Sequence, residues 1–222
     1  MTAFLTNHAC MLQDVWPDMQ LLENQLPFFI LDDLFEPQKV RISSKSDSSV
    51  RLSITNLSEK FVKSQMHIEG VDDCLKRISK ADHFVDFIRT LCLPWEFSHE
   101  VGGELKTVTT LSMRELDRAG VKFKVGSSKN LFDIRFTDGV LEVPKLTLSD
   151  ETWIRIRNLL AFEQCQCIEN YVYDYVFIMK CFVRTRKDVE LLMQHGIVEN
   201  RLGDSRGVYS DQQPCRWCYR EP

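Results

Sequence analysis

The chain has 222 residues, a formal net charge of −4 and a sequence pI of about 5.8. Apolar residues make up 44% of it and charged residues 27%, which is enough to bury a core and excludes wholesale disorder. No basic stripe is visible, so the sequence does not favour nucleic-acid binding. This length predicts one domain, or two small ones.

The N-terminus lacks the basic and apolar regions of a secretory signal. The most apolar stretch, residues 171–183, is too short to span a bilayer and is interrupted by Asp174 and Lys180. We therefore expect no membrane span and a cytoplasmic location. Eight cysteines without an export signal favour reduced thiols over disulfides.

The first predicted element is a helix from Asp18 to Phe35, because its apolar residues recur at helical spacing. Pro27 lies inside it and should kink it, since proline has no amide hydrogen to donate. Residues 43–49 form a polar, serine-rich loop, which is the predicted internal boundary. Short helices are expected over residues 57–65 and after Asp82, which can act as an N-cap.

Capping and stop signals mark the later helices. Ser112 and Glu115 have the spacing of a capping box, and Gly120 can end that short helix in a left-handed conformation. Three further helices are predicted, beginning at Ser149 or Asp150, over residues 171–182, and from Thr185 to Gly196. Residues 1–204 are expected to form the domain, and residues 205–222, polar and aperiodic, a disordered tail.

Between these helices, alternating apolar and charged residues predict three short strands, over residues 121–125, 132–136 and 140–143. Asp138-Gly139 separates the last two, and this pair is a strong hairpin signal because its turn requires positive φ. The predicted fold class is therefore α+β, mainly helical, with one small antiparallel sheet around Asp138-Gly139.

One string stands out from the rest of the sequence: Leu22, Glu23, Asn24, Gln25, Leu26, Pro27, Phe28 and Phe29. It resembles the hallmark of the plant domain-of-unknown-function 247 family. Further segments resemble that family in the same order along the chain, namely residues 83–89, 115–123, 132–144, 157–164 and 188–198. The order of the segments makes the resemblance specific, whereas any one of them alone would be weak.

Members of that family usually have a longer N-terminal part before the string and a transmembrane helix at the C-terminus. The resemblance therefore implies a partial copy whose full-length relatives are commonly membrane-anchored. Most of the family has no assigned biochemistry, and some members are associated with self-incompatibility in grasses. What the resemblance implies is a context and not a reaction.

Three polar residues of the string, Glu23, Asn24 and Gln25, admit two interpretations. They could form a ligand site at carbonyls opened by Pro27, or their side chains could satisfy backbone groups that Pro27 frees. The second interpretation is favoured, because short polar side chains commonly bond to nearby backbone.

Metal and catalytic chemistry have little support in the sequence. Cys215 and Cys218 have half of a zinc site's spacing, but the other half would be Cys165-x-Cys167, which is too tight, or His195. His83 is interpreted as a residue of a helix start and not as a catalyst. Glu163 and Glu169 are interpreted as parts of a solvated helix face and not as a catalytic pair. No catalytic residue, metal or cofactor is predicted.

The expected role is a non-catalytic interaction or signalling module. An unrecognised hydrolase-type enzyme is one alternative, and a truncated product without independent function is another. The expected partner is a protein, and self-association through the apolar helix from Asp18 to Phe35 is one form such an interaction could take.

Overall fold

The computed structural model describes residues 15–35, 53–66, 81–93, 111–128, 130–167 and 170–201. The chain divides into two compact units, residues 1–91 and 92–222. The serine-rich segment 43–49 falls in the first unit and outside the described residues, as does the predicted tail 205–222 in the second.

The first unit is helical in its described part. Residues 15–19 are helical and a 3₁₀ turn follows at Leu22–Asn24. The remaining helices are α1 (Phe28–Leu34), α2 (Ile54–Met66) and α3 (Phe84–Cys92). Aromatic rings form much of the core: Trp16 meets Phe61 and Phe84 edge-on at 5.5 and 6.1 Å, and Phe84 stacks on Phe87 at 6.3 Å. Such pairs add specific geometry to apolar burial.

The single helix predicted from Asp18 to Phe35 is wrong. Gln25 (φ −80°, ψ 130°) and Pro27 (φ −58°, ψ 138°) are extended and separate the 3₁₀ turn from α1. Proline disfavours helical angles in the residue before it and has no amide hydrogen for the preceding turn. Pro27 therefore interrupts the helix completely and becomes the residue from which a new helix starts.

The next two helices are present where the sequence predicted them, with a different residue at the start of α3. His83, and not Asp82, occupies the position before Phe84, and its Nδ1 accepts a hydrogen bond from the amide of Asp86 at 3.3 Å. Asp82 contributes through its backbone instead, because its carbonyl accepts from the amide of Phe28 at 2.7 Å.

The second unit combines helices with two small sheets. Its strands are β1 (Lys122–Gly126), β2 (Arg135–Thr137), β3 (Val140–Pro144), β4 (Leu146–Leu148) and β5 (Val198–Asn200). Its helices are α4 (Met113–Arg118), α5 (Asp150–Gln166), α6 (Tyr171–Phe182) and α7 (Arg186–Gln194). The α+β class is confirmed.

The arrangement of the strands differs from the prediction of one antiparallel sheet. β2 and β3 form the expected hairpin, with positive φ at Asp138 (50°) and Gly139 (75°). However, β3 is the central strand, and β1 pairs with it in parallel, with Lys122 opposite Val140. β4 and β5 form a second, parallel pair that was not predicted. Alternation specifies which face a residue takes, but not which strand lies beside it.

The helix signals of the second unit are confirmed. Ser112 and Glu115 form a capping box, in which the Ser112 amide donates to Glu115 Oε2 at 2.7 Å. Ser149 caps α5 and Thr185 caps α7. The core lies between the sheets and the helices α4, α6 and α7 and contains Met113, Leu141, Val143, Leu146, Leu148, Tyr175, Met179, Phe182, Val189, Leu192, Ile197 and Val198. In the part of the chain described, every helix is too short or too polar to cross a membrane.

Candidate functional site

The distinctive string, residues 22–29, is held in place by the side chain of Gln25. Its Nε2 donates to the carbonyls of Met19 at 3.0 Å and Leu21 at 2.7 Å, and its Oε1 accepts from the amide of Val85 at 2.9 Å. One carboxamide thus satisfies backbone groups near the end of one helical segment and at the start of α3. This requires a donor and an acceptor on the same side chain, which a carboxylate does not offer.

Of the two neighbouring polar residues, Asn24 bonds to the backbone and Glu23 points to solvent. Asn24 Nδ2 donates to the carbonyl of Asp18 at 3.2 Å. The structural interpretation is therefore confirmed for Asn24 and Gln25, although the carbonyls they bind precede the string and are not the one that Pro27 was expected to free. Glu23 is exposed and makes no hydrogen bond or ion pair with another described residue.

Two adjacent phenylalanines of the string have opposite environments. Phe28 is 5% exposed and meets Phe87 edge-on at 6.1 Å. Phe29 is 67% exposed. Successive residues of a helix point about 100° apart, so the first turn of α1 places one ring in the core and the next one outside.

Phe29 belongs to a larger exposed apolar surface, which we call the outer face. It consists of Leu26, Phe29, Ile30 and Leu34, which are 55%, 67%, 36% and 73% exposed. An open groove of about 300 Å³ adjoins it, since Leu26 lies in both, and its lining is mainly apolar: Leu26, Phe28, Leu31, Ile54, Leu57 and Phe84. Large apolar residues gathered in this way mark binding surfaces more often than single exposed ones do.

The segment that carries the outer face is acidic. Residues 15–35 include four carboxylates, all exposed, and no lysine, arginine or histidine: Asp18, Glu23, Asp32 and Asp33. Asp32 has a structural contact as well, because its Oδ1 accepts from the amide of Ile54 at 3.0 Å and so joins α1 to α2. The outer face thus consists of apolar side chains on a segment whose charged residues are all carboxylates.

The second unit has a groove of a different kind. It lies between α4 and α7 and has a volume of about 250 Å³, and most of its lining is charged: Arg114, Arg118, Lys187, Asp117 and Glu190. Mixed charges that stay solvated contribute little to binding. The outer face is therefore the stronger candidate for a functional surface.

His83 serves the fold. It is buried, its ring nitrogen takes the Asp86 amide at the start of α3, and burial lowers its pKa, with Asp86 and Asp82 acting in the opposite direction. The lowered pKa favours the neutral ring, whose Nδ1 can accept that hydrogen bond. The prediction that His83 lies at a helix start is confirmed.

The interpretation of Glu163 as part of a solvated face is wrong, and its supposed partner Glu169 lies outside the described residues. Glu163 is fully buried, and its Oε2 accepts from the amides of Val172 at 2.9 Å and Tyr173 at 3.2 Å. Glu163 lies in α5 and therefore supplies an acceptor for backbone amides that have no partner within the first turn of α6. The spacing of charges along α5 carries no signal for this role.

Asp188 does more than complete the capping box at the start of α7. It is fully buried and accepts from the amides of Thr185 at 2.8 Å and Arg184 at 3.3 Å, and from the Thr185 hydroxyl at 2.7 Å. It also accepts from the amide of Arg114 at 2.9 Å, in the first turn of α4. One carboxylate thus ties the starts of α4 and α7 together.

The described residues contain no group of three His, Cys, Asp or Glu side chains placed to hold a metal ion. Cys165, Cys167 and His195, the other half considered for a zinc site, are described, and both cysteines are free thiols. Cys215 and Cys218 lie outside the described residues.

Comparison with known proteins gives the chain a family. A profile described as a plant protein of unknown function, domain of unknown function 247, matches residues 2–210. UPF0481 protein At3g47200 of Arabidopsis thaliana is 27% identical over 222 residues, which cover 89% of this chain and 45% of that protein. Putative UPF0481 protein At3g02645 of the same plant is 28% identical over 101 residues, covering 44% of this chain and 19% of that protein.

The chain thus spans less than half the length of these curated relatives. No solved structure matches it. The profile, however, takes in both units and the string that carries the outer face. This chain therefore belongs to the plant domain-of-unknown-function 247 family, whose profile matches residues 2–210.

Proposed function

We propose that the protein is a non-catalytic interaction module and that the outer face, with its adjoining groove, is where a partner protein docks. One observation carries the proposal. In the string of residues 22–29, Gln25 is held by hydrogen bonds and Phe28 is buried in the core. Leu26 and Phe29 of the same string are exposed. A segment held so firmly presents its apolar side chains in a defined geometry, and such preorganisation favours binding.

The energetics support a docking role. Burying a large apolar side chain contributes roughly 1.5–3 kcal/mol, so the four residues of the outer face supply enough for a specific contact. Phe29 and Leu34 are the most exposed of them, at 67% and 73%. They are the expected anchors of the interface.

The buried carboxylates support the non-catalytic part of the proposal. A hydrolase needs a nucleophile beside a base, or a desolvated carboxylate that faces substrate. Glu163 and Asp188 instead direct their oxygens to backbone amides at helix starts. A hydrolase screen with generic ester, phosphate and glycoside substrates tests this rival, and turnover that survives repurification would favour it.

The docking surface is tested by photo-cross-linking in plant cells. The whole chain is expressed with benzoylphenylalanine at position 29 or, as the matched control, at position 136. Phe136 is 63% exposed, close to the value for Phe29, and lies in the second unit. We expect a defined adduct with a partner protein from position 29 and none with the same protein from position 136.

The adduct is identified, and its protein is purified and titrated with the chain. The double variant Phe29→Ser/Leu34→Ser should bind it at least about tenfold more weakly, and Phe136→Ser should bind it unchanged. Equal affinities for the double variant and the wild type, or no adduct specific to position 29, would contradict the proposal.

A further inference from the structure

The charge around the outer face narrows the choice of partner. Phe29, Ile30 and Leu34 share α1 with Asp32 and Asp33, and Glu23 precedes them in the string. No lysine, arginine or histidine occurs in residues 15–35 themselves. A ligand that covers the apolar side chains must approach this negative charge.

We infer that the outer face binds a positively charged amphipathic helix of another protein, with apolar residues against the outer face and lysine or arginine at its flanks. This rests on the proposed function and specifies its partner. An amphipathic helix presents side chains at i, i+3, i+4 and i+7, which is the usual way to fill an apolar groove beside a short helix. Basic flanks would meet the carboxylates, giving the charge complementarity that selects partners.

The same charge disfavours two other occupants. In a symmetric pair of chains the outer face would meet its own copy, and the carboxylates of both would come together. A membrane surface rich in anionic lipid carries the same sign as the outer face and would repel it. A basic protein segment is the occupant that both the apolar side chains and the carboxylates favour.

The test uses two synthetic helical peptides of about 18 residues, long enough for five turns. They share the same leucine and phenylalanine positions and differ only in their flanks, which are lysine and arginine in one and glutamate in the other. Each is labelled and titrated with the whole chain by fluorescence anisotropy, at about 0.05 M and at about 1 M salt, where the Debye length is about 3 Å.

We expect the basic peptide to bind at least about tenfold more tightly at low salt and to lose most of that preference at high salt. Phe29→Ser/Leu34→Ser should weaken both peptides. Asp18→Asn/Glu23→Gln/Asp33→Asn should remove the preference and keep the apolar contact. Asp32 is left unchanged because it also binds the Ile54 amide.

A charge-matched control removes three exposed carboxylates from the second unit, by Asp117→Asn, Asp138→Asn and Glu190→Gln. It should retain the preference for the basic peptide. A control that loses the preference as fully as the outer-face variant does would overturn the inference, because the attraction would then follow net charge alone.

The remaining outcomes separate the inference from the proposed function. If both peptides bind equally and both depend on Phe29 and Leu34, the docking surface stands and the basic partner is wrong. If neither peptide responds to those substitutions, both are wrong. Light scattering that finds a dimer, dissolved by Phe29→Ser/Leu34→Ser, would assign the surface to a second copy. Binding to phosphatidylcholine or phosphatidylserine vesicles, lost in that variant, would assign it to a membrane. Either result overturns the inference.

Discussion

Two apolar stretches, residues 21–35 and 171–183, differ in how many of their apolar side chains are buried. In the second, α6 is continuous and buries Val172, Tyr175, Met179 and Phe182, which recur at helical spacing. In the first, Phe28 is the one buried residue, and four large apolar side chains are exposed. An unbroken helix places residues at helical spacing on one face, and α6 buries that face. Pro27 interrupts the first stretch, and the part that follows displays its apolar side chains.

Both regions nevertheless solve the same local problem, which is the open backbone groups of helix ends. The first uses the carboxamide of Gln25, and the second uses the buried carboxylates of Glu163 and Asp188. Side-chain hydrogen bonds to backbone thus stabilise helix ends in both regions, and the regions differ in the exposure of their apolar side chains. Substitutions of the buried polar side chains and of the exposed side chains test this difference between the two regions.

Among the buried polar groups, the largest effect is expected from Asp188→Ala. It removes a buried carboxylate and leaves the partly buried amides of Arg114 and Thr185 without their acceptor, so the free energy of unfolding should fall by about 3 kcal/mol. Urea denaturation followed by circular dichroism measures it. Glu190→Ala on the same helix, which removes only an exposed pair with Arg186, should change it by less than about 0.5 kcal/mol. Equal losses would count against the role given to Asp188.

Gln25→Ala should have the next largest effect, lowering the free energy of unfolding by about 2 kcal/mol, because carbonyls and an amide lose their partner. Gln25→Glu should be nearly as harmful, since it keeps the acceptor for Val85 but loses both donated bonds. Glu23→Ala is the control and should be close to neutral. A neutral Gln25→Glu would show that the donated bonds do not matter.

Gly139→Val should cost about 1 kcal/mol or more, because a β-branched residue is strained at a φ of 75°. No atom lies within 4 Å of the position a Cβ would take, so the effect isolates the backbone. Asp138→Asn at φ 50° should be tolerated, since asparagine adopts that region readily. A thermal melt of Gly139→Val that coincides with that of the wild type would contradict the turn.

The smallest expected effect is on the loss of stability at acidic pH, through Glu115. The Ser112 amide lowers the pKa of Glu115 below its ordinary value of 4.5, helped by the Ser112 hydroxyl and Arg184. A lowered pKa means stability that is present above about pH 4.5 and is lost as pH falls through the folded-state value. Glu115→Gln can keep the capping box but cannot titrate. Between about pH 5 and about pH 3 it should lose less unfolding free energy than the wild type. A loss equal to that of the wild type would remove Glu115 from the acid response.

Features set by local chemistry could be predicted from sequence. The capping box of Ser112 and Glu115 and the hairpin at Asp138-Gly139 each depend on a few neighbouring residues, and both are present. The pairing of β1 with β3 was missed, because an alternating strand does not encode its neighbour. β4 and β5 are three residues each, too short for a period to be recognised.

The candidate site divides in the same way. The sequence predicts the string and the bonding of Asn24 and Gln25 to backbone, but not which carbonyls they bind. It does not predict the complete break at Pro27, because the apolar spacing suggests one long helix. Long-range contacts had no local signal. Asp188 accepts a hydrogen bond from the amide of Arg114, which lies 74 residues earlier in the chain. Glu163 accepts one from the amide of Val172 in the next helix. Burial of a carboxylate depends on such distant partners.

The central claim is that the inner and outer sides of one motif have different tasks, and the adjacent pair Phe28 and Phe29 tests it most directly. The measurement is the free energy of unfolding of Phe28→Ser and of Phe29→Ser, by urea denaturation under identical conditions. We predict a loss of about 3 kcal/mol or more for Phe28→Ser, whose ring leaves a cavity against Phe87, and less than about 0.5 kcal/mol for Phe29→Ser. Equal, large losses would contradict the account, because Phe29 would then be covered within the folded chain and unable to receive a partner.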